Sequence, residues 1–281
     1  MANPTGCQDA GRVQRWGAVT DAFLTYADPN RVPSLLEEPP ACEFSVLTLN
    51  EGWPEDLERF AASLAATSPG ASYELLAASN ASPDVEAAVR GLAARDGRVR
   101  GLFFSQHVGF GAARNAGILQ ARGRIVIVAD TSVEATGDFL SPLAATLAEP
   151  SIGMAGNWGL LSADLRTFHE TTEGDVDALQ AYCMAFRRAE AGAVGLFDPR
   201  FKFYRNADID YSLRWRSKGF RLVAIPLPLT RHAHREWESI GEDERDRKSR
   251  DNFARLLRSW RDRTDLLTGG SGAESVKGLA G

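Results

Sequence analysis

The alternation of strand-like and helix-like segments between residues 44 and 129 constrains the fold most strongly. Each of three short apolar runs is followed by a segment with helical periodicity: 44–49 by 54–64, 73–78 by 82–92, and 99–104 by 111–121. A fourth run, 125–129, contains no polar residue, which is typical of a parallel strand covered on both faces. The alternation predicts an α/β domain with an open, mostly parallel sheet flanked by helices.

Length and composition exclude several classes of protein. The 281 residues are 44% hydrophobic and 25% charged, so the chain can bury a large core and is neither intrinsically disordered nor a disulfide-stapled miniprotein. Its net charge of -5 disfavours nucleic acid as a partner. No apolar run approaches the roughly 18 residues of a membrane span, and no leader-like segment follows Met1. Three widely spaced cysteines fit a reducing environment, so we expect a cytoplasmic location.

Changes in composition along the chain predict four parts. Residues 1–40 alternate short apolar pieces with Gly, Pro and Asn and are predicted to form an N-terminal extension, and 41–235 form the main domain. Residues 236–267 mix both charge signs around apolar positions, which predicts a helical tail that packs on its own domain or on a partner, such as a second copy in a homo-oligomer. A lipid-binding face would be more basic. Residues 268–281 are predicted to be disordered.

Asp130 is the first candidate site residue, because it directly follows the apolar run 125–129. In sheets of this kind, ligands bind beyond the carboxyl ends of the strands. A carboxylate there, beside the hydroxyls of Thr131 and Ser132, could hold Mg²⁺ or Mn²⁺ together with phosphate oxygens. The alternative is an Asx-turn that only redirects the chain.

Asp208 is the second candidate, at the start of a helix predicted over about 208–218. The helix dipole is expected to hold this carboxylate ionised, which suits either a capping residue or a general base. His232 and His234 follow a predicted strand, on which residues i and i+2 share a face, so both could converge on one metal or diphosphate. Surface histidines without a role are the alternative.

The segment from Gly109 to Asn115 partly matches a dinucleotide-binding fingerprint. Its first two glycines are correctly spaced and Asp130 lies about 20 residues further on. However, Arg114 replaces the third glycine, and the segment follows the third strand instead of the first. Hydride transfer is therefore disfavoured.

Taken in order, the segments between Phe44 and His234 resemble the inverting, family-2-type glycosyltransferases with a GT-A fold. Residues 44–51 are similar to the opening strand of that family, and 109–117 resemble its Gly-x-Gly-x-Ala-x-Asn-x-Gly turn and helix. Residues 195–201 and 208–214 resemble its Gly-Gly-Phe-Asp-Glu-Arg-Phe block and the Glu-Asp-x-Asp-Leu-x-x-Arg motif that follows.

This resemblance implies an enzyme that moves a hexose-type sugar from a nucleotide-diphosphate donor to an acceptor hydroxyl with inversion. Asp130 would open the Asp-x-Asp motif that binds a divalent cation, Mg²⁺ or Mn²⁺, and the donor diphosphate, and Asp208 would be the base. The expected donor-site residues are Thr48, Leu49, Glu51, Ser79, Arg114 and Asp130, and the expected metal ligands are Asp130, His232 and His234. The acceptor would be a glycan, a lipid-linked sugar or a small molecule. Trp158 could stack on it, although a core tryptophan is the alternative.

Three normally acidic positions of that pattern are neutral here: Ser79 at the nucleotide base, Ser132 in place of the second Asp of Asp-x-Asp, and Ala207 before the base. Ser132 weakens the expected metal site, and Ala207 removes a negative charge that would oppose ionisation of Asp208. Two alternatives follow. One is a non-catalytic GT-A domain that binds a nucleotide or a protein. The other is a metal-independent transferase in which Arg114, Arg205, His232 or His234 meets the diphosphate.

Overall fold

The computed structural model describes residues 22–269. The strands, in chain order, are β1 (Phe23–Tyr26), β2 (Cys42–Asn50), β3 (Tyr73–Asn80), β4 (Val99–Phe104), β5 (Gly123–Ala129), β6 (Val133–Ala135), β7 (Ile152–Gly156), β8 (Gly159–Leu161), β9 (His169–Thr171), β10 (Gly174–Val176), β11 (Ala178–Leu179), β12 (Cys183–Arg187), β13 (Arg221–Ala224) and β14 (Leu229–Arg231). The α-helices are α1 (Pro54–Thr67), α2 (Pro83–Arg95), α3 (Phe110–Gln120), α4 (Leu140–Thr146), α5 (Arg188–Val194), α6 (Ala207–Ser217), α7 (Arg235–Ser239) and α8 (Glu242–Trp260).

Nine of these strands form one sheet in the order β1-β4-β3-β2-β5-β12-β7-β13-β10. The first five are mutually parallel, β7 and β13 run in the same direction, and β12 and β10 run against them. The predicted α/β class with a mostly parallel sheet is therefore confirmed. The remaining five of these strands form two smaller sheets, β11-β8-β9 and β14-β6.

The core lies on both faces of the large sheet, which explains why β5 has no polar residue after Arg124. Val126 and Val128 face an apolar cluster that includes buried residues of α3, α5 and α6. Ile125 and Ile127 face a second cluster, which includes buried residues of α1, α2 and α4. Because both faces of the strand are covered, every side chain from 125 to 129 is buried.

The glycine-rich turn before α3 is built for close packing. Gly109 has a φ of +84°, which favours glycine, and a Cβ at Gly111 would lie 2.5 Å from the carbonyl oxygen of Asp198. The amide of Phe110 donates to the carbonyl of Lys202, and that of Gly111 to Phe201. These first amides of α3 are engaged within the protein, whereas a dinucleotide site would present them to a diphosphate.

Residues 22–40, from the predicted N-terminal extension, are attached to the main domain. β1 pairs in parallel with β4 at the edge of the sheet, and the amide of Leu35 donates to the carbonyl of Leu119. The Arg188 guanidinium donates to the carbonyl of Leu35. Residues 1–21 of the predicted extension lie outside the described residues.

The tail after residue 235 folds into α7 and α8 and packs against the start of α6. Asp210 on α6 accepts a hydrogen bond from the Trp260 indole at 2.8 Å, and Leu256 is fully buried. Residues 270–281, most of the segment predicted to be disordered, lie outside the described residues. Between residues 22 and 269, no helix combines the length and the apolar character that crossing a membrane requires.

Candidate active site

A cavity of about 540 Å³ lies beyond the carboxyl ends of β2 and β5. Its opposite wall comes from the start of α6, from the segment after β8 and from the tail helices α7 and α8. The ionisable residues that line it are Glu51, Asp56, Arg114, Asp130, Arg166, Tyr182, Tyr204, Arg205, Asp208, His234, Arg235, Glu236 and Arg250. Residues of the predicted helical tail thus line the cavity.

The two carboxylates singled out from the sequence, Asp130 and Asp208, both line this cavity and are held by consecutive residues. The Asp130 amide donates to the carbonyl of Tyr182 at 3.1 Å. The amide of Ala181 donates to Oδ2 of Asp208 at 3.2 Å. Since neighbouring Cα atoms are about 3.8 Å apart, this short backbone segment brings residues that are 78 positions apart to one site.

Asp130 is an ionised carboxylate held by local hydrogen bonds and a histidine. The amide and the hydroxyl of Ser132 donate to its Oδ1 at 2.8 and 2.6 Å, which is the Asx-turn arrangement, and His234 Nε2 lies 3.4 Å from Oδ2. Burial acts to raise the pKa of Asp130, but His234 and Ser132 outweigh it and lower the pKa to about 2. The same contact raises the pKa of His234 against the effect of burial.

The pKa of Asp208 is raised, in contrast to the expectation that the helix dipole would favour its charged form. Burial is the main cause, and it outweighs the amides of Ala181 and Ile209 and the charge of Arg205, all of which lower the pKa. The helix end alone favours the charged form, whereas the depth of the cavity disfavours it. A carboxylate with a raised pKa is a stronger proton acceptor than an ordinary aspartate.

Arg114 closes the floor of the cavity between β2 and β5. Its Nη1 donates to the carbonyls of Leu47 at 3.2 Å and Ala129 at 3.1 Å. Burial lowers the pKa of Arg114 to about 10, while the negative charges of Asp130 and Glu51 oppose that shift. The residue that replaces the third glycine of the dinucleotide pattern therefore places a buried positive charge beside Asp130.

The other predicted donor-site residues divide into two groups. Leu49 and Glu51 line the cavity, and Glu51 Oε1 accepts from Asn80 Nδ2 at 2.6 Å. Thr48 is buried and accepts a hydrogen bond from Asn50. Ser79 is also buried, and its hydroxyl donates to the carbonyl of Ser82 in the turn before α2. Neither of these two buried hydroxyls lines the cavity.

His232 and His234 do not converge on one point. β14 ends at Arg231, so the two-residue periodicity of a strand does not extend to either histidine. His232 Nε2 lies 2.8 Å from Oε2 of Glu134 and does not line the cavity, whereas His234 faces Asp130. Across residues 22–269, no cluster of three or more His, Cys, Asp or Glu side chains could hold a metal ion by itself.

Trp158 belongs to the core and does not line the cavity. Its ring packs edge-on against Tyr182, with 5.6 Å between the ring centroids, and Tyr182 lines the cavity in its place. Neither Tyr182 nor Trp53 was predicted from the sequence. Trp53 also lines the cavity and precedes Pro54 in a left-handed conformation with a φ of 54°. Such strain is frequent at functional sites, but only coordinates reveal it.

Comparisons with known proteins agree with this architecture. A family model described as glycosyl transferase family 2 matches residues 45–211, which is more than half of the chain. Among solved structures, the chain is similar to the mannosyltransferase PcManGT from Pyrobaculum calidifontis in complex with GDP-Man and Mn²⁺. The identity is 19% and the TM-score 0.52, over 69% of this chain and 56% of that one. No curated protein matches.

A second solved structure, GalNAc-T7 with UDP, GalNAc and Mn²⁺, has 14% identity and a TM-score of 0.62, over 82% of this chain and 49% of that one. The chain thus spans about half the length of the two structures. At these identities they show the fold alone, and they confirm the GT-A architecture that the sequence predicted. With the family match, this establishes that the chain belongs to glycosyl transferase family 2.

Proposed function

We propose that the protein transfers a sugar from a nucleoside-diphosphate donor to an acceptor hydroxyl, with inversion at the anomeric carbon. One observation carries the proposal: Asp130 and Asp208 are held by the adjacent residues Tyr182 and Ala181 and line the same cavity. One carboxylate can then act near the leaving group and the other at the incoming oxygen. The names of the two similar structures, which include sugar nucleotides or their parts, support this donor class.

Asp208 is the proposed general base. In a single displacement, the acceptor oxygen bonds to the anomeric carbon while the bond from that carbon to the diphosphate oxygen breaks. The acceptor proton passes to the Asp208 carboxylate, and the electron pair of the broken bond leaves with the diphosphate. Because the reaction needs only one displacement, the anomeric configuration inverts. The raised pKa of Asp208 suits it to accept the proton.

The residues around Asp130 fit a divalent cation that is shared with the donor. Asp130 is anionic and would repel a diphosphate, so a cation beside it would offset that repulsion. His234 Nε2, which faces Asp130, would add a nitrogen ligand once the cation displaces the proton that His234 shares with Asp130. Two protein ligands together with phosphate oxygens are a common arrangement for Mg²⁺ and Mn²⁺. When bound, such a cation neutralises charge on the leaving diphosphate. His232 is not part of this proposed set, since it contacts Glu134.

The first prediction tests the base. Release of nucleoside diphosphate from UDP- and GDP-sugars with a mixed acceptor pool should fall by roughly 10²- to 10⁴-fold in Asp208→Asn. The reason is that an amide cannot take up the proton of the attacking hydroxyl. Asp84→Asn is the matched control, since Asp84 is an exposed carboxylate in the first turn of α2. Its turnover should equal that of the unchanged protein.

Full turnover by Asp208→Asn would contradict the role of this carboxylate. A protein that binds UDP or GDP in calorimetry but releases none from any sugar nucleotide would instead match the non-catalytic alternative. Turnover that survives a chelator would identify the metal-independent alternative.

A further inference from the structure

We infer that the acceptor of this transferase carries a negatively charged group, a phosphate or a carboxylate, near the hydroxyl that reacts at Asp208. The inference rests on the proposed function and specifies its acceptor. It is drawn from the part of the cavity next to Asp208, which three arginines line together with apolar side chains.

The apolar part of this lining is continuous with a small core cluster of its own. Ile209 follows Asp208 on α6 and packs in this cluster, which also includes Leu165 and Leu256. Phe168 and Phe253 pack against the cluster and line the cavity. Partly buried aromatic rings beside a base are suited to contact the apolar face of a sugar or polyol.

Arg166 extends from a well-anchored turn between β8 and β9. Leu165 is fully buried in a left-handed conformation with a φ of 59°, and Asp164 Oδ1 accepts the amides of Arg166 and Thr167 at 2.8 and 2.9 Å. The Arg166 side chain itself is exposed and lines the cavity. Among the described residues its guanidinium forms no hydrogen bond or ion pair, although Asp164 is near enough to interact with it electrostatically.

Arg250 and Arg205 add positive charge to the same part of the cavity. Arg250 lies three residues before Phe253 on α8, so both share one helix face, and its ion pair is a long 3.9 Å contact with Asp246. Arg205 lies over the ring of Trp237 at 5.2 Å and makes no ion pair with a carboxylate of the described chain. Its charge acts on Asp208 and lowers the pKa of that group.

The remaining cations of the cavity already have partners. Arg235 pairs with Asp56 at 3.3 Å, His234 with Asp130, and Arg114 with backbone carbonyls. Glu236, the carboxylate that the tail contributes to the cavity, interacts chiefly with Glu51, His234 and Asp130 rather than with the three arginines. The cavity therefore has three weakly paired arginines near Asp208, and the reaction uses the carboxylate of Asp208 as its base. Guanidinium groups bind phosphate and carboxylate groups with charge-assisted hydrogen bonds, and a neutral acceptor would leave this charge unmatched.

The test is calorimetry on the full chain with matched probes: glucose, glucose 6-phosphate and glucuronate, and glycerol, glycerol 3-phosphate and glycerate. Each is titrated into the unchanged protein, the double variant Arg166→Gln/Arg250→Gln and the control Arg247→Gln. Arg247 is exposed on α8, pairs with Asp251 and does not line the cavity. UDP and GDP are titrated into the same three proteins.

In at least one series the charged member should bind at least about tenfold more tightly than its neutral counterpart. The double variant should lose roughly 10- to 100-fold of that affinity, while Arg247→Gln retains it. Tighter binding of the phosphate or of the carboxylate member identifies the anion. The affinity for UDP and GDP should stay within about twofold in all three proteins, because the inference places these arginines at the acceptor.

Three results would overturn the inference: equal affinity for charged and neutral probes, no binding by either series, or loss of UDP and GDP affinity in the double variant. The last result would assign the arginines to the donor. Failure of the transferase proposal can be distinguished from failure of this inference. If the charged probe binds through the arginines but no sugar nucleotide is turned over, the transferase proposal is contradicted and the anion site is retained.

Discussion

At the scale of single residues, Asp208 shows how burial changes the chemistry of an ordinary carboxylate. In the unfolded chain an aspartate loses its proton near pH 3.8, whereas burial in the cavity holds the pKa of Asp208 above that value. From pH 3.8 up through the raised pKa, the folded state binds more protons than the unfolded state. This group therefore lowers the stability of the fold as the pH rises through that window.

We accordingly expect Asp208→Asn to be more stable than the unchanged protein at pH 7 and equally stable at pH 3, where both forms are uncharged. Urea unfolding at the two pH values measures the difference. Asp84→Asn should show no such change with pH. A variant that is less stable at pH 7 would mean that the amides of Ala181 and Ile209 outweigh the cost of burying the charge.

A buried ion pair between Glu74 and Arg100 joins the neighbouring strands β3 and β4. Arg100 Nη1 donates to Glu74 Oε2 at 2.7 Å, and Ser45 Oγ donates to the other oxygen at 2.5 Å. Because Glu74→Gln leaves the buried Arg100 cation unpaired, it should lower the free energy of unfolding by about 3–5 kcal/mol in urea titrations. Glu43→Gln breaks the exposed pair with Arg124 and should cost about 0–1 kcal/mol. Equal losses of unfolding free energy in the two variants would show that burial does not determine the cost of breaking an ion pair.

At the scale of elements, α8 supports the loop that leads into α6. The Asn252 side chain is buried and donates to the carbonyls of Phe203 and Arg205 at 2.7 and 2.8 Å. The tail, which on sequence is a charged amphipathic helix, thus positions the segment that precedes Asp208. The predicted association of two copies through this helix stays a prediction.

We expect Asn252→Ala to lower the free energy of unfolding by about 1–3 kcal/mol, because the carbonyls of Phe203 and Arg205 lose their shared donor, and the first of these bonds is buried. Donor turnover should fall by at least about tenfold, since small displacements of catalytic groups are costly. Nucleoside-diphosphate release and urea unfolding measure the two effects. Asp251→Ala, which changes the exposed neighbour, should leave both unchanged. Unchanged turnover in Asn252→Ala would show that the loop holds its position without α8.

At the scale of the whole molecule, the cavity joins the carboxyl ends of parallel strands with the tail helices. If Asp130 and His234 bind a cation together with the donor, Mn²⁺ and a nucleoside diphosphate should raise Tm jointly by more than the sum of their separate effects. At a ligand concentration of about a hundred times Kd, binding raises the free energy of unfolding by about 2.7 kcal/mol, which raises Tm by several degrees for a chain of this size. Differential scanning calorimetry with UDP and GDP measures this, and Asp130→Asn should abolish the joint effect. A purely additive response would contradict shared binding.

The local patterns of the sequence were sufficient to predict the α/β class, the strands from β2 to β5, the helices between them and the placement of Asp130 and Asp208 at the ends of elements. They were sufficient because hydrophobic periodicity and helix-starting residues such as Pro54 and Pro83 act within a few positions. The family motifs added the order of these elements.

Tertiary structure decides which side chains line the cavity and how their pKa values shift, because these side chains come from distant parts of the chain. Packing between elements pairs His234 with Asp130 and buries Asp208, which raises the pKa of that group. It also places Trp158 and Ser79 in the core, so that neither lines the cavity. Periodicity within a segment contains no information about which side chain of another segment lies opposite it, and electrostatic shifts are determined by that neighbour and by the water it excludes.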